Sequence, residues 1–161
     1  MNGYKEWSAN MQFNIIDAHA HLDMPQFDSD REAVIQRATD AGVFHIITAG
    51  INLDSSQKVV KLANRHPSVL ATIGFHPQEA QKMKPDDVNK LTELAKNQRV
   101  VAIGEIGLDY YREKATREVQ LQVLKQQLAL AVTLDLPVVI HSREAKQDMT
   151  NILKDLSLIH I

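Results

Sequence analysis

Ile15-Ile16-Asp17-Ala18-His19-Ala20-His21 opens the patterned part of this 161-residue chain and decides how the rest is read. An apolar start followed by alternation predicts a strand, on which Asp17, His19 and His21 share one face and two imidazoles stand side by side. That is a metal-binding geometry. Two later segments repeat the device. Val100-Val101-Ala102-Ile103-Gly104-Glu105 delivers a carboxylate and Pro137-Val138-Val139-Ile140-His141 a further histidine, each straight after a β-branched run.

Helical patterns separate these runs. Asp30 to Ala41 reads as a helix, with Ser29 and Glu32 fitting a capping box and Gly42 placed for a left-handed stop. Val43 to Ala49 follows as a strand, Asp54 caps a helix through Arg65, and Val69 to Phe75 is the third strand. A Pro85-started helix, Asp86 to Asn97, leads to the fourth strand, Val100 to Ile106. A long helix, 117–134, precedes the fifth strand from Pro137, and Glu144 to Leu156 closes as helix. The strands are near-continuous apolar runs, which predicts that both faces are covered, and intervening helices make them parallel.

The ligand-type residues therefore lie at the carboxyl ends of the first, fourth and fifth strands, the edge where α/β folds carry their sites. No glycine lies between Asp17 and Asp23, so the phosphate turn of an open doubly wound sheet is missing and a barrel fits better. A (β/α)8 barrel needs eight strands and ~250 residues. The predicted fold class is accordingly α/β, an incomplete TIM (β/α)8 barrel of about five βα units. Residues 1–13 read as an N-terminal extension, with Met11 an alternative start, and 14–155 as a partial TIM-barrel hydrolase domain. Residues 156–161 read as a non-native tail, because Leu156-Ser157-Leu158-Ile159-His160-Ile161 has no periodicity or cap and resembles a translated sequencing adapter. His160 is given no role.

Composition limits the chemistry. With 18 Lys and Arg against 20 Asp and Glu, the formal charge is −2, and no broad basic surface attracts nucleic acid at long range. Phosphate chemistry here must bring its own positive charge, which divalent cations supply locally. The absence of cysteine excludes disulfides and thiolate zinc sites, and a reducing cytoplasm is the simplest compartment. Residues 1–10 lack the apolar core of a secretion signal, and no run reaches the length of a membrane span.

Imidazoles plus a carboxylate suit borderline cations such as Zn, Mn, Co or Fe, and a glutamate bridges two ions through its two oxygens. Two such ions activate water and neutralise charge at a phosphoryl group, so hydrolysis is the natural reaction. His19, His21, Glu105 and His141 are the expected ligands, with Glu105 also catalytic. His76, in Gly74-Phe75-His76-Pro77, either orients substrate or makes a loop hydrogen bond. Asp109 supports a ligand or Arg112, or caps a turn. Arg143 holds a phosphate or pairs with Glu144 or Asp17. His45 reads as a packed strand residue and His66 as a helix-terminal cation. The leucine-rich face of 117–134 reads as core.

Asp17-Ala18-His19-Ala20-His21-Leu22-Asp23, Gly74-Phe75-His76-Pro77, Gly104-Glu105-Ile106-Gly107-Leu108-Asp109-Tyr110 and Pro137-Val138-Val139-Ile140-His141-Ser142-Arg143 together resemble, in order and spacing, the TatD family of metal-dependent deoxyribonucleases. The resemblance runs from about Ile15 to Asp155. It implies a TIM barrel of the metal-dependent hydrolase superfamily, two divalent metal ions of the Mg, Mn or Zn type, and exonucleolytic hydrolysis of DNA, single-stranded or at chain ends. By position, His19 and His21 correspond to the first-strand ligands, Glu105 to the bridging carboxylate and His141 to the fifth-strand ligand. The family's sixth-strand histidine and eighth-strand aspartate have no counterpart. The intact parent is thus expected to be the nuclease, this piece to be weakly active or inactive, and its bare sheet edges to drive self-association. The competing readings are an amidohydrolase-type C–N or C–O hydrolase or deaminase, and an inactive metal-binding fragment. Many relatives of the former kind place a modified lysine where Glu105 stands.

Overall fold

Five strands alternate with five α-helices among the described residues, which in this computed structural model are 15–112 and 114–155. The expected extension, 1–13, and tail, 156–161, lie outside the described residues. In chain order the elements are β1 (Ile15–Ala20), α1 (Arg31–Asp40), β2 (Val43–Ala49), α2 (Leu53–Arg65), β3 (Val69–Ile73), α3 (Asp87–Ala95), β4 (Val100–Asp109), α4 (Arg117–Leu134), β5 (Val138–Arg143) and α5 (Lys146–Asp155). Short 3-10 turns occupy Pro25–Phe27 and Pro77–Lys82.

The sheet is parallel throughout, in the order β1-β2-β3-β4-β5. Every crossover steps the same way, as along a barrel wall, whereas a doubly wound sheet reverses direction at its switch point. All loops that follow strands consequently gather at one rim. The core lies between the sheet and its helices, where Val59, Leu91, Leu124 and Leu128 meet Val69, Ile73, Ile103 and Leu108, all almost fully buried. Each such side chain contributes roughly 1.5–3 kcal/mol by leaving water.

Three expectations are corrected. Coverage of both faces fails at β1 and β2, where Ile15, Ile16 and Phe44 stay 51%, 53% and 56% exposed, because no described element packs over these side chains. The capping box is not formed: Asp30 takes the N-cap of α1 without a side-chain bond, and Arg31 reaches back to the Leu22 and Met24 carbonyls instead. Asp54 does not cap α2. Asn52 does, accepting from the Ser55 N–H at 3.0 Å, while Asp54 sits in the first turn and pairs with Lys58 at 2.6 Å. Gly42 takes the expected left-handed conformation, φ 93°. β4 extends three residues beyond its expected end, so Glu105 stands inside the strand and Asp109 at its tip.

Candidate metal centre

The rim places the four expected ligands together. His19 lies on β1 and His21 just beyond it, and a register shift against β2 between Asp17 and Ala20 accompanies the turn of the strand. Their rings meet edge to face with centroids 5.0 Å apart and Nε2 atoms 3.2 Å apart. Glu105, only 7% exposed, comes up from β4 between them and β5. Its Oε2 lies 3.2 Å from His19 Nε2 and 3.5 Å from His21 Nε2, and its Oε1 lies 2.8 Å from His141 Nδ1. His76 Nε2 stands 4.0 Å from Glu105 Oε2 and 3.2 Å from His141 Nδ1. Two potential ligand groups result, His19–His21–Glu105 and His76–Glu105–His141, and Glu105 belongs to both.

The protons reveal what the cluster lacks. His21 Nδ1 donates to the Ala49 carbonyl at 2.9 Å, so a neutral His21 aims its Nε2 lone pair at a carboxylate oxygen. If His141 Nδ1 donates to Glu105, its buried Nε2 faces Asp109 Oδ2 at 3.3 Å and forms no hydrogen bond of acceptable geometry. Lone pair against carboxylate is repulsive, and each position asks for a proton or a cation. The Glu105 hydrogen bonds raise the pKa values of His21 and His141, so protons fill the need when no cation does. Burial alone would push the Glu105 carboxyl up, but hydrogen bonds from His141 and His21 hold it well below the usual carboxylate range. The donor set therefore fits divalent cations on either side of Glu105.

His76 differs from the others. Its Nδ1 accepts from the Gln78 N–H at 3.1 Å, which puts the proton of the neutral ring on Nε2, facing the site. Burial lowers its pKa to about 4, and it stays neutral at pH 7. As placed, it offers the site an N–H rather than a lone pair. The loop hydrogen bond expected from the sequence is formed, and the ring also lies beside Glu105 and His141.

Asp109 caps a turn and also stands beside His141. Its Oδ1 accepts from the Tyr111 and Arg112 N–H groups at 3.1 and 2.9 Å, capping the turn after β4, while Oδ2 takes Gln78 Nε2 at 2.9 Å and stands beside His141. Arg143 lies with its guanidinium 3.9 Å over the Tyr111 ring. A pocket of about 320 Å³ adjoins His21 and His76 and is also lined by Arg112, Lys114 and Glu79, so two cationic side chains and one carboxylate face it. His45 packs against Phe44, and His66 Nε2 lies 2.8 Å from Glu32; neither joins the cluster.

Two residues escaped the sequence reading. Gln120 and Gln127, on the face of α4 read as plain core, are 1% and 0% exposed. Gln120 takes the Asp109 N–H on Oε1 at 2.8 Å and gives Nε2 to the Asp109 carbonyl at 3.1 Å. Gln127 does the same for Phe75, the residue before His76. The legible signal was two amides seven residues apart, two turns of helix, hence on one buried face.

A family model described as TatD related DNase matches residues 16–160. Over 141 residues the chain is 38% identical to the uncharacterized metal-dependent hydrolase YabD of Bacillus subtilis (strain 168), covering 88% of this chain and 55% of YabD. It is 40% identical over 141 residues to the 3'-5' ssDNA/RNA exonuclease TatD of Erwinia tasmaniensis, covering 87% of this chain and 54% of that protein. Among solved structures, the TatD homolog YJJV of Escherichia coli K12 superposes with a TM-score of 0.83 at 36% identity, over 90% of this chain and 57% of YJJV. A TatD family hydrolase of Entamoeba histolytica gives 0.84 at 28% identity, over 92% and 56%. The chain spans about half the length of the curated relatives it matches.

Proposed function

Because this chain belongs to the family of TatD-related DNases, we propose that its rim cluster is a two-cation hydrolytic centre that cleaves phosphodiester bonds in DNA from single-stranded ends. The observation that carries this reading is the position of Glu105, whose Oε2 faces His19 and His21 and whose Oε1 faces His141. His19 and His21 hold one cation of the Mg, Mn or Zn type, His141 holds the other, and Glu105 is shared. When bound, such ions supply an activated water and neutralise charge on the phosphoryl oxygens. His76 presents its Nε2–H to a substrate oxygen, and Arg112 and Lys114 attract the flanking phosphate into the adjoining pocket. Asp109 fixes the turn that carries Arg112. The 3'-5' exonuclease name of the Erwinia tasmaniensis relative supports action on single strands. So does the charge of −2, which leaves no basic surface for tracking along duplex.

The test is release of nucleotides from end-labelled single-stranded DNA by the purified chain with Mn²⁺, against chelator and Glu105→Gln controls. Weak release, needing both the ion and Glu105, is expected. Turnover of a cyclic amide in place of the phosphodiester would move the site to C–N chemistry, and cation binding without any DNA turnover would mark the chain as a metal-binding fragment.

Among the described residues β1 and β5 each pair on one side only, and Ile15 and Ile16 are exposed on β1 with Phe44 exposed on the neighbouring β2. This chain accordingly self-associates through its open edges, and a monodisperse monomer by light scattering would refute that. No helix among the described residues is long and apolar enough to cross a membrane. The cysteine-free composition suits the cytoplasm.

A further inference from the structure

We propose that Tyr111 and Arg143 form a nucleobase-stacking subsite beside the metal centre, which holds an unpaired base of the strand being cut; the assignment rests on the nuclease reading above.

Consecutive tyrosines at the tip of β4 have opposite fates. Tyr110 is 8% exposed, donates its hydroxyl to Asp148 at 2.6 Å and packs under Arg117, so it belongs to the core. Tyr111 turns outward and is 58% exposed. Its placement is nevertheless built rather than loose. The Tyr111 N–H is held by Asp109 Oδ1, the Tyr110 N–H bonds the Arg143 carbonyl at 2.9 Å, and Asp109 pairs with Arg143 in the β4–β5 register. The Arg143 guanidinium lies 3.9 Å over the ring centroid. One aromatic face is thus covered by a planar cation, and more than half of the residue stays open to solvent.

The location supplies the function. Arg143 follows His141 by two residues on the same strand, so the two side chains leave the same face about 6.6 Å apart along it. Asp109, which pins Tyr111, is also the carboxylate that faces His141 Nε2. A strand whose phosphate sits at the cluster therefore brings a neighbouring base within the span of Tyr111. Stacking on an aromatic ring tolerates every base, because each has a π-face, and the guanidinium adds attraction for ring and phosphate alike. Bases within a duplex are already stacked and paired. The subsite hence selects unpaired ends without reading sequence, which a protein with no broad basic surface needs.

The test compares two probes of equal charge: a fluorescein-labelled pentathymidylate with cleavage-resistant phosphorothioate linkages, and the same backbone with every base removed. Fluorescence anisotropy with Mn²⁺ present gives affinities for the full chain and for Tyr111→Leu, which keeps apolar bulk but lacks a π-face. Tyr111→Phe is the conservative rescue, and circular dichroism checks folding. The wild-type chain should prefer the base-bearing probe by roughly 5- to 150-fold, the worth of one stacked base. Tyr111→Leu should erase that preference while binding the abasic probe and Mn²⁺ as before, and Tyr111→Phe should restore it. Equal wild-type affinity for both probes, or a preference that survives Tyr111→Leu, overturns the subsite and leaves the nuclease reading standing. If the wild-type chain takes up Mn²⁺ and binds neither probe, the nuclease reading falls and the subsite falls with it.

Discussion

Gln127 brackets Phe75: its Oε1 accepts the Phe75 N–H at 2.6 Å and its Nε2 donates to the Phe75 carbonyl at 3.1 Å. A helix on the outer layer thereby sets the loop whose next residue is His76. Gln127→Leu keeps volume and leaves two buried backbone groups unpaired, each worth about 1–3 kcal/mol. The expected loss is about 2–6 kcal/mol by urea unfolding of the metal-free chain. With the loop released, the His76 imidazole should titrate closer to its ordinary value of 6.5 than to about 4 when followed by NMR. An unchanged titration would show that Gln127 serves packing alone.

Glu105→Gln removes the one group that faces every imidazole of the cluster. Changes around metal ligands typically cost 10–100-fold in affinity, and loss of a shared ligand charge should exceed that, so Mn²⁺ affinity should fall by at least about 100-fold in calorimetry. The pKa values of His21 and His141 should drop together, because the same carboxylate raises both. Loss of binding with one imidazole still raised would mean that Glu105 is not shared.

The pH dependence follows from opposed shifts. Without a cation, the raised pKa values of His21 and His141 contribute stability that is present below pH 6.5 and lost as pH rises through their folded values. His76 works the other way. Its folded pKa of about 4 means that the unfolded chain takes up a proton the native ring refuses, so stability falls from pH 6.5 toward 4, by on the order of 3 kcal/mol for this nearly buried ring. The depressed Glu105 adds a further loss below its ordinary 4.5. The metal-free chain should melt highest near pH 6.5. Saturating Mn²⁺ should turn the alkaline decline into a gain, because binding releases the protons on His21 and His141. A metal-free Tm that climbs steadily to pH 8 would contradict this assignment.

The alternating faces of a strand were enough to place His19 beside His21, and apolar runs ending in Glu105 and His141 were enough to bring them to the same rim. β2 and α4 have the bounds their patterns predict, since one is a mostly apolar, β-branched-rich run and the other is long and periodic. Contacts between distant segments were not legible. Nothing local says that Gln127 will meet Phe75 or that Arg143 will lie over Tyr111, because both pairings depend on the register of β3, β4 and β5. Caps misled for a related reason: Asn52 and Asp54 both suit the start of α2, and the choice went to the residue already extended, φ −160°.

Gly107 joins fold to site. Its φ is 153°, and a Cβ there would fall on the His141 carbonyl, so β4 and β5 approach this closely only over a glycine. Gly107→Ala must push β5 away at the residue that carries a ligand. The cost should be about 2–5 kcal/mol from backbone strain and overpacking together. Gly42→Ala is the control, because Gly42 also has a positive φ, 93°, but ends α1 away from the cluster. It should destabilise the chain and leave Mn²⁺ titration intact. Gly107→Ala should weaken the cation held by His141 while sparing the one held by His19 and His21, which stand on the far side of Glu105. Equal weakening of both, or of neither, would show that the β4–β5 spacing does not set the position of His141.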